Sequence, residues 1–423
     1  MSRQEPIIRS VRSRFTAAIS LILVICLGFS LSAAIFETTV RLFVPVSDFF
    51  WQWDPVVGLK LIPNKTGRSV KRGVFDVDVR INSHGFRDRE HTPVKPPGVR
   101  RIVLLGDSFI EALQVPFENS LAPLLEHRLQ AAGINAETVS LGISGFGTAR
   151  EYLLLREYGL KYKPDLVLHF FVGNDVSDNS RRLQGLPYLP YPMLNDEGSL
   201  ARDEKGRPRF TAFADQSSSL AFVTTYLKNI SNGFRLVREA VDRSPQLHGL
   251  LYRFGLMSTP PEPVNRPEAA NFGYHELYRS EYTKAWAEAW ALTENLLLAT
   301  RDLAEFSGAR FAVVLVPAAW EVYPHLWQAV LSGVPAMKNV PLDLEKPSRT
   351  LSSFLVRNQI PVISMLADFR KRSTELPLLY VPSDAHWTAH GHRLASELLA
   401  DRVTALLQEP VPESAQPGQP KNE

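Results

Sequence analysis

The chain has 423 residues, of which 45% are hydrophobic and 22% charged, with one cysteine. That length and apolar content exclude a disordered protein and allow a large core or more than one domain. The formal net charge of +3 is already accounted for by Arg3, Arg9, Arg12 and Arg14 against Glu5, so residues 15 to 423 are balanced and a nucleic-acid partner is not expected.

Residues 1 to 14 form a basic N-terminus, and Phe15 to Phe36 then runs 22 residues without a charge. A bilayer needs about 20 such residues, so 15–36 is expected to be a transmembrane anchor, and the arginines before it keep 1–14 cytoplasmic and place the rest outside. A cleaved signal peptide is the alternative, with Ser32, Ala33 and Ala34 small enough for a peptidase. The apolar core of a signal is usually only ~7–15 residues, which favours the anchor. Cys26 lies inside this run, so the exported part can form neither a disulfide nor a cysteine metal site.

Residues 37–98 are expected to form a β-rich lead-in. Phe49, Phe50, Trp51 and Trp53 make an aromatic cluster suited either to the membrane interface or to packing, and Val74 to Ile81 alternates as a half-exposed strand. The segment closes with Asn82 to Asp88, which lies near the site or merely ends the lead-in, and with the proline-containing linker 93–98.

From 99 to 408 strands and helices alternate. Apolar runs at Ile102–Leu105, Glu137–Leu141, Leu166–Val172, Phe311–Val316 and Pro361–Ser364 are interleaved with helical patterns near 120–132, 149–157, 282–306 and 389–407. Such alternation implies an α/β fold with a parallel sheet. It is interrupted at about 177–282 by a large insertion with Pro-rich turns, a helical piece near 220–241 and a second turn-rich stretch at 258–267. The insertion is either a cap over the substrate or a packing or partner surface. Residues 409–423, with four prolines and no apolar period, are expected to be a disordered tail.

If the strands share one parallel sheet, four points lie near their carboxyl ends, where open α/β sheets bind ligands. They are Gly106-Asp107-Ser108, the glycine-rich turn Leu141 to Gly147, Gly173-Asn174-Asp175, and Pro382 to Trp387 with Asp384 and His386. Serine needs a base to become a nucleophile at neutral pH, and an imidazole, free pKa ~6.5, is the natural one. His386 is the candidate base and Asp384 the carboxylate that holds its tautomer. The amides of Ser108 and Gly145, with the Asn174 side chain, are candidate donors to an oxyanion.

In these residues the chain resembles the SGNH/GDSL hydrolase superfamily. Its blocks are matched in order by Gly106-Asp107-Ser108, Gly142 to Gly145, Gly173-Asn174-Asp175 and the Asp384/His386 pair, across residues 101 to 405. The resemblance implies a three-layer αβα, flavodoxin-like sheet, with Ser108 as nucleophile, Gly145 and Asn174 as oxyanion donors and His386 as base. Residues 1–98 and the insertion are not covered. Most of the family has two residues between acid and histidine, which here would call on Ser383. Asp384, with one between, resembles instead the Asp-x-His-Trp arrangement of SGNH-type polysaccharide O-acetyltransferases of the bacterial cell envelope, and Asp384 is taken as the third triad member.

Other polar residues have plainer readings. His390 and His392 suit a helix start and its packing, Asp107 and Asp175 loop bracing, and His169 a core position in a strand, so no metal and no cofactor are expected. The function expected is an extracytoplasmic serine esterase, single-pass in the cytoplasmic membrane with its catalytic domain periplasmic or extracellular. It would act on O-acyl esters, with acetyl groups on envelope glycans as candidates. An O-acyltransferase using the same residues is the alternative, and a non-catalytic glycan-binding module is a third.

Overall fold

The first helix, α1 (Glu5–Phe43), outruns the uncharged segment at both ends. At its C-terminal end Glu37 and Arg41 pair across one turn at 2.6 Å, and Thr38 and Thr39 donate to the carbonyls of Ala34 and Ile35, so polar residues extend the helix past Phe36. Leu21 to Phe29 is exposed on every side of the helix, and the span Ala17–Phe43 is long and apolar enough to cross a membrane. This computed structural model describes residues 5–186, 188–213, 219–254, 274–332, 337 and 339–408. The turn-rich stretch expected at 258–267 and the tail 409–423 lie outside the described residues.

The lead-in is two antiparallel hairpins, β1 (Trp51–Asp54) with β2 (Gly58–Leu61) and β3 (Thr66–Lys71) with β4 (Phe75–Arg80). Phe50, Leu61, Val77, Val79 and Ile81 are buried together against Leu113 of the following domain. The aromatic cluster is thus packing: Phe50 is core, and Phe49 and Trp51 meet edge to face, ring centroids 5.7 Å apart.

The remaining elements follow in chain order: β5 (Arg100–Gly106), α2 (Ser108–Glu111), α3 (Leu121–Ala131), β6 (Ala136–Gly142), α4 (Thr148–Glu157), β7 (Leu166–Phe171), α5 (Asn174–Asp178) and α6 (Arg181–Gln184). Within the insertion come α7 (Ser219–Ile230), α8 (Asn232–Asp242) and α9 (Pro245–Arg253). The domain then resumes with α10 (Lys284–Phe306), β8 (Arg310–Leu315), α11 (Ala319–Val322), α12 (Pro324–Ser332), α13 (Lys346–Arg357), β9 (Val362–Ser364), α14 (Leu366–Arg372) and α15 (Ala389–Gln408). The single helical piece expected near 220–241 is two helices. Ser231 breaks the chain direction and caps α8, its hydroxyl accepting from the Phe234 amide at 2.9 Å.

Strands β5 to β9 form one parallel sheet in the order β6-β5-β7-β8-β9. Each strand sends alternate side chains to two cores. Val103, Leu105, Val139, Val167 and Val313 pack beneath α4, α10 and α13, and Ile102, Leu104, Leu168 and Val314 beneath α3, α14 and α15. The result is a three-layer αβα, flavodoxin-like sheet, and burial on both faces is why its strands read as continuous apolar runs. Strand order reverses between β5 and β7, the crevice in which such sheets bind ligands. Gly106 stands opposite Gly142 in register, so the turns after β5 and β6 leave the sheet at the same edge.

Candidate active site

Ser108 opens α2, directly after β5. Asp107 caps this helix, accepting from the Phe109 amide at 3.0 Å, and Ala112 ends it in the left-handed conformation. The short helix can lie against the end of β6 only because residue 142 is glycine: a Cβ there would meet the Glu111 nitrogen at 2.2 Å. Arg87, in the lead-in segment whose placement the sequence left open, is buried and holds the other end of α2. Its guanidinium donates to the carbonyls of Glu111 (3.1 Å), Ala112 and Val115 (2.5 Å). Asn82 to Asp88 is therefore part of the scaffold behind Ser108.

The loop before α15 brings His386 to the serine. His386 Nε2 lies 2.7 Å from Ser108 Oγ, and its Nδ1 lies 2.6 Å from Asp384 Oδ1. Ser383 and Ala385, on either side of Asp384, both have positive φ (58° and 67°), a costly conformation for non-glycine residues that only surrounding contacts maintain. Those contacts are visible. Val381 N donates to the His386 carbonyl at 2.7 Å, Thr388 N to Leu379 O at 2.9 Å, and Trp387 is wholly buried with its ring against Phe109 and Phe369. Lys71 at the end of β3 adds a clamp, donating to the Ser383 carbonyl and to Asp384 Oδ2 (3.1 Å). Burial opposes ionisation of Asp384, but the hydrogen bond and charge of His386 and those of Lys71 outweigh it and hold the carboxyl below its ordinary value. Ser383 thus presents its carbonyl to Lys71, while Asp384 presents its carboxylate to the imidazole.

Across the crevice stand the two further predicted donors. Gly145 adopts φ +73° in the turn after β6, and its carbonyl is held by Arg150. Asn174, first residue of α5, donates through Nδ2 to Asp178 Oδ2 (3.0 Å) and Asp107 Oδ2 (3.3 Å). Ser108, Gly145, Asn174, Asp384 and His386 all line one pocket of about 440 Å³. Its apolar wall includes Phe171, Leu277, Tyr278, Trp320 and Leu351, a size and lining suited to a small organic group. Among the described residues, the insertion's share of this wall comes from its two ends, Asp178, Gln184, Leu277 and Tyr278. Helices α7 to α9 do not reach it.

A layer of buried acids lies beneath the site: Asp107 and Asp175, expected as loop braces, and Glu111, Glu151 and Asp178, which sequence reasoning passed over. Burial pushes Asp178 up to about 7, and it pushes Asp107 up as well. Glu151 and Asp175 surround His169, with carboxylate oxygens 3.3 and 3.8 Å from its Nε2. All three are fully buried, and burial raises both carboxyls and drives the imidazole down to about 3, so the trio is held uncharged. Its ligand atoms lie within 4.8 Å of one another, the one metal-compatible grouping among the described residues. Protons on the carboxyls supply the missing donors equally well, in keeping with a core role for His169. His392 is also buried, its ring edge-to-face on Trp387, in keeping with packing.

Glu111 gives this layer a measurable signature. Its carboxylate accepts from the Ser144 amide (3.1 Å) and hydroxyl, tying the turn after β6 to α2, yet burial raises its pKa from 4.5 to about 7. The native state therefore keeps this proton while the unfolded chain loses it, so stability falls as pH rises from 4.5 to about 7. Glutamine does not titrate. Glu111→Gln should gain on the wild type by up to about 3 kcal/mol across that window and level off above it, measured by denaturant unfolding at each pH. A difference independent of pH would refute the assignment.

No family model and no curated protein matches the chain. Solved structures similar to it include an acetyl xylan esterase, at 13% identity and a TM-score of 0.37 over 72% of this chain and 99% of that one. A lipase/acylhydrolase from Enterococcus faecalis matches at 14% identity and a TM-score of 0.31 over 73% and 96% of the two chains. A member of the lipolytic G-D-S-L family from Veillonella parvula matches at 11% identity and 0.34 over 72% and 98%. Likeness at this level carries no conclusion about activity, and the functional reading rests on what this chain itself assembles: a serine, an imidazole and a carboxylate in hydrogen-bond sequence at the switch point of a parallel sheet.

Proposed function

We propose that the chain is a serine ester hydrolase of the SGNH/GDSL type, anchored in the cytoplasmic membrane by residues 15–36 with its catalytic domain outside, and acting on O-acyl esters, foremost acetyl groups on envelope glycans. The observation that carries the reading is the unbroken relay Ser108 Oγ to His386 Nε2 (2.7 Å) and His386 Nδ1 to Asp384 Oδ1 (2.6 Å), opening on a pocket. A binding module needs no such relay.

In this reading His386 Nε2 takes the Ser108 proton as Oγ attacks the ester carbonyl carbon. Asp384 stabilises the imidazolium and keeps Nδ1 protonated. The oxyanion accepts from the amides of Ser108 and Gly145 and from Asn174 Nδ2, for which it competes with the Asp107 and Asp178 carboxylates. Collapse expels the alcohol, protonated by His386, and leaves an acyl ester on Ser108. Water, activated by His386, then releases the acid.

One observation supports an O-acyltransferase as the second reading: the single-residue spacing of Asp384 and His386 followed by the buried Trp387. Both reactions share the acyl-enzyme, and they differ in whether water or a sugar hydroxyl ends it. The test is intact-protein mass spectrometry of the full chain in detergent with an acetyl ester, with and without oligosaccharide acceptors. A hydrolase should release acetate at a rate acceptors barely change. An acyl-enzyme that persists until an acceptor is added would favour the transferase, and an unmodified protein across a broad ester panel would sink both.

A further inference from the structure

We propose that helices α7 to α9 form a membrane-docking platform that lies on the exported face of the bilayer beside the anchor, a proposal that rests on reading α1 as spanning that bilayer. The position of these helices follows from contacts to α1. Glu37 accepts from the Ser231 hydroxyl (2.6 Å) and from the amides of Asn232 and Gly233 (both 2.9 Å), so it closes the N-terminus of α8. Arg41 donates to the Ile230 carbonyl at the end of α7. Gly233 is packed so closely on the anchor that a Cβ there would stand 2.9 Å from the Phe36 ring. The α7–α8 junction is thereby pinned to residues 36–41, just where the uncharged run 15–36 ends. That run spans about 33 Å as a helix, against a hydrocarbon thickness of about 30 Å, so the junction sits at the headgroup level.

Exposed apolar residues on α7 and α9 fit that level. On α7, Val223, Tyr226 and Ile230 are 47%, 55% and 45% exposed and recur at i, i+3 and i+7. The same spacing recurs at Leu247, Leu250 and Phe254 along and just past α9, exposed by 41%, 49% and 72%. Helical stripes of this kind are ordinarily buried. Residues 219–254 also carry five Lys and Arg against two Asp and Glu, whereas the exported chain as a whole is balanced. Apolar stripes with a local basic excess are the composition of helices that lie in the interface of anionic membranes.

The platform is also tied to the site. Arg235 of α8 pairs with Asp48 at 2.8 Å, Asp48 accepts from the Arg68 amide of β3 at 2.8 Å, and β3 ends at Lys71, which clamps the Asp384 loop. A docked platform therefore sets the height and orientation of the pocket over the membrane.

The test uses the full chain in vesicles of phosphatidylcholine and phosphatidylglycerol. In a Cys26→Ser background, Tyr226→Cys, Ile230→Cys, Leu250→Cys and Phe254→Cys each receive a polarity-sensitive dye, and lipids carrying shallow or deep spin labels are the quenchers. Val356→Cys on α13, also exposed, is the reference, and native Cys26 in the wild type reports on the anchor. Docking predicts blue-shifted emission and at least twofold more quenching by shallow labels than at position 356. Emission and quenching equal to that reference, with Cys26 quenched by deep labels, would overturn the platform alone. Cys26 unquenched would overturn the anchor and the platform together. Blue-shifted emission without lipid quenching would mean that protein covers the stripes, and would also overturn the proposal.

Discussion

Ser108→Ala is expected to lower ester turnover by about a millionfold and to remove the acyl-enzyme from the mass spectrum, because the alanine has no oxygen to acylate. In the proposed mechanism His386→Ala should cost nearly as much, and the double variant little more, since the two groups would act as one unit: the serine would be a nucleophile only while Nε2, 2.7 Å away, can take its proton. Asp384→Asn should fall between them and the wild type, at about ten-thousandfold, because an amide can hold the imidazole in the wrong tautomer. Ser108→Ala, whose side chain meets the open pocket, should alter stability by no more than about 0.5 kcal/mol. The measurement is steady-state hydrolysis of an acetyl ester by the four variants, with unfolding monitored in parallel. Turnover within tenfold of wild type in Ser108→Ala would sink the mechanism.

The second large effect is structural. Arg87→Met is expected to destabilise the protein by about 3–5 kcal/mol, because it leaves three buried carbonyls at the end of α2 without donors and removes the cation nearest Glu111. Burial pushes Arg87 down to about 10 against the charges of Glu111 and Glu118, and the guanidinium stays charged at neutral pH. Lysine should recover part of the loss at most, since one ammonium cannot span acceptors that the planar fork meets together. Denaturant unfolding of the full chain in detergent measures the difference. A cost below about 1 kcal/mol would mean that the lead-in is an appendage rather than the back wall of the nucleophile helix.

Much of the architecture was legible because it is encoded locally. A strand buried on both faces must be apolar at every position, so Ile102–Leu105 and Leu166–Val172 announced themselves, and helices α3, α4, α10 and α15 carry apolar stripes of helical period. Once a parallel sheet is inferred, the strand-end rule gathers Ser108, Gly145 and Asn174 at one edge, whereas His386 reaches it on the loop between α14 and α15. Helix α14 escaped notice because it has only seven residues after a three-residue strand, and the twelve-residue α13 because it buries only Pro347, Leu351, Phe354 and Leu355. The break at Ser231 was hidden because an apolar period runs across it while the capping hydroxyl decides the chain direction.

The sequence by itself determined the layered sheet, the anchor candidate and the identity of the groups at the pocket, since each depends on a periodicity or a turn within a few residues. The sequence already favoured Asp384 over Ser383 as the partner of the imidazole, but only the tertiary structure showed how it is held there. Ser383 and Ala385 are left-handed on either side, and Lys71, 313 positions from Asp384, is bonded to the Ser383 carbonyl and the Asp384 carboxylate. The tertiary structure alone placed Arg87 behind α2, Glu111 under Ser144, and the α7–α8 junction on the anchor. Each of these is a polar contact between segments distant in the chain. A polar residue carries no periodic mark of its partner, and burial makes the partner energetically obligatory without making it visible in the sequence.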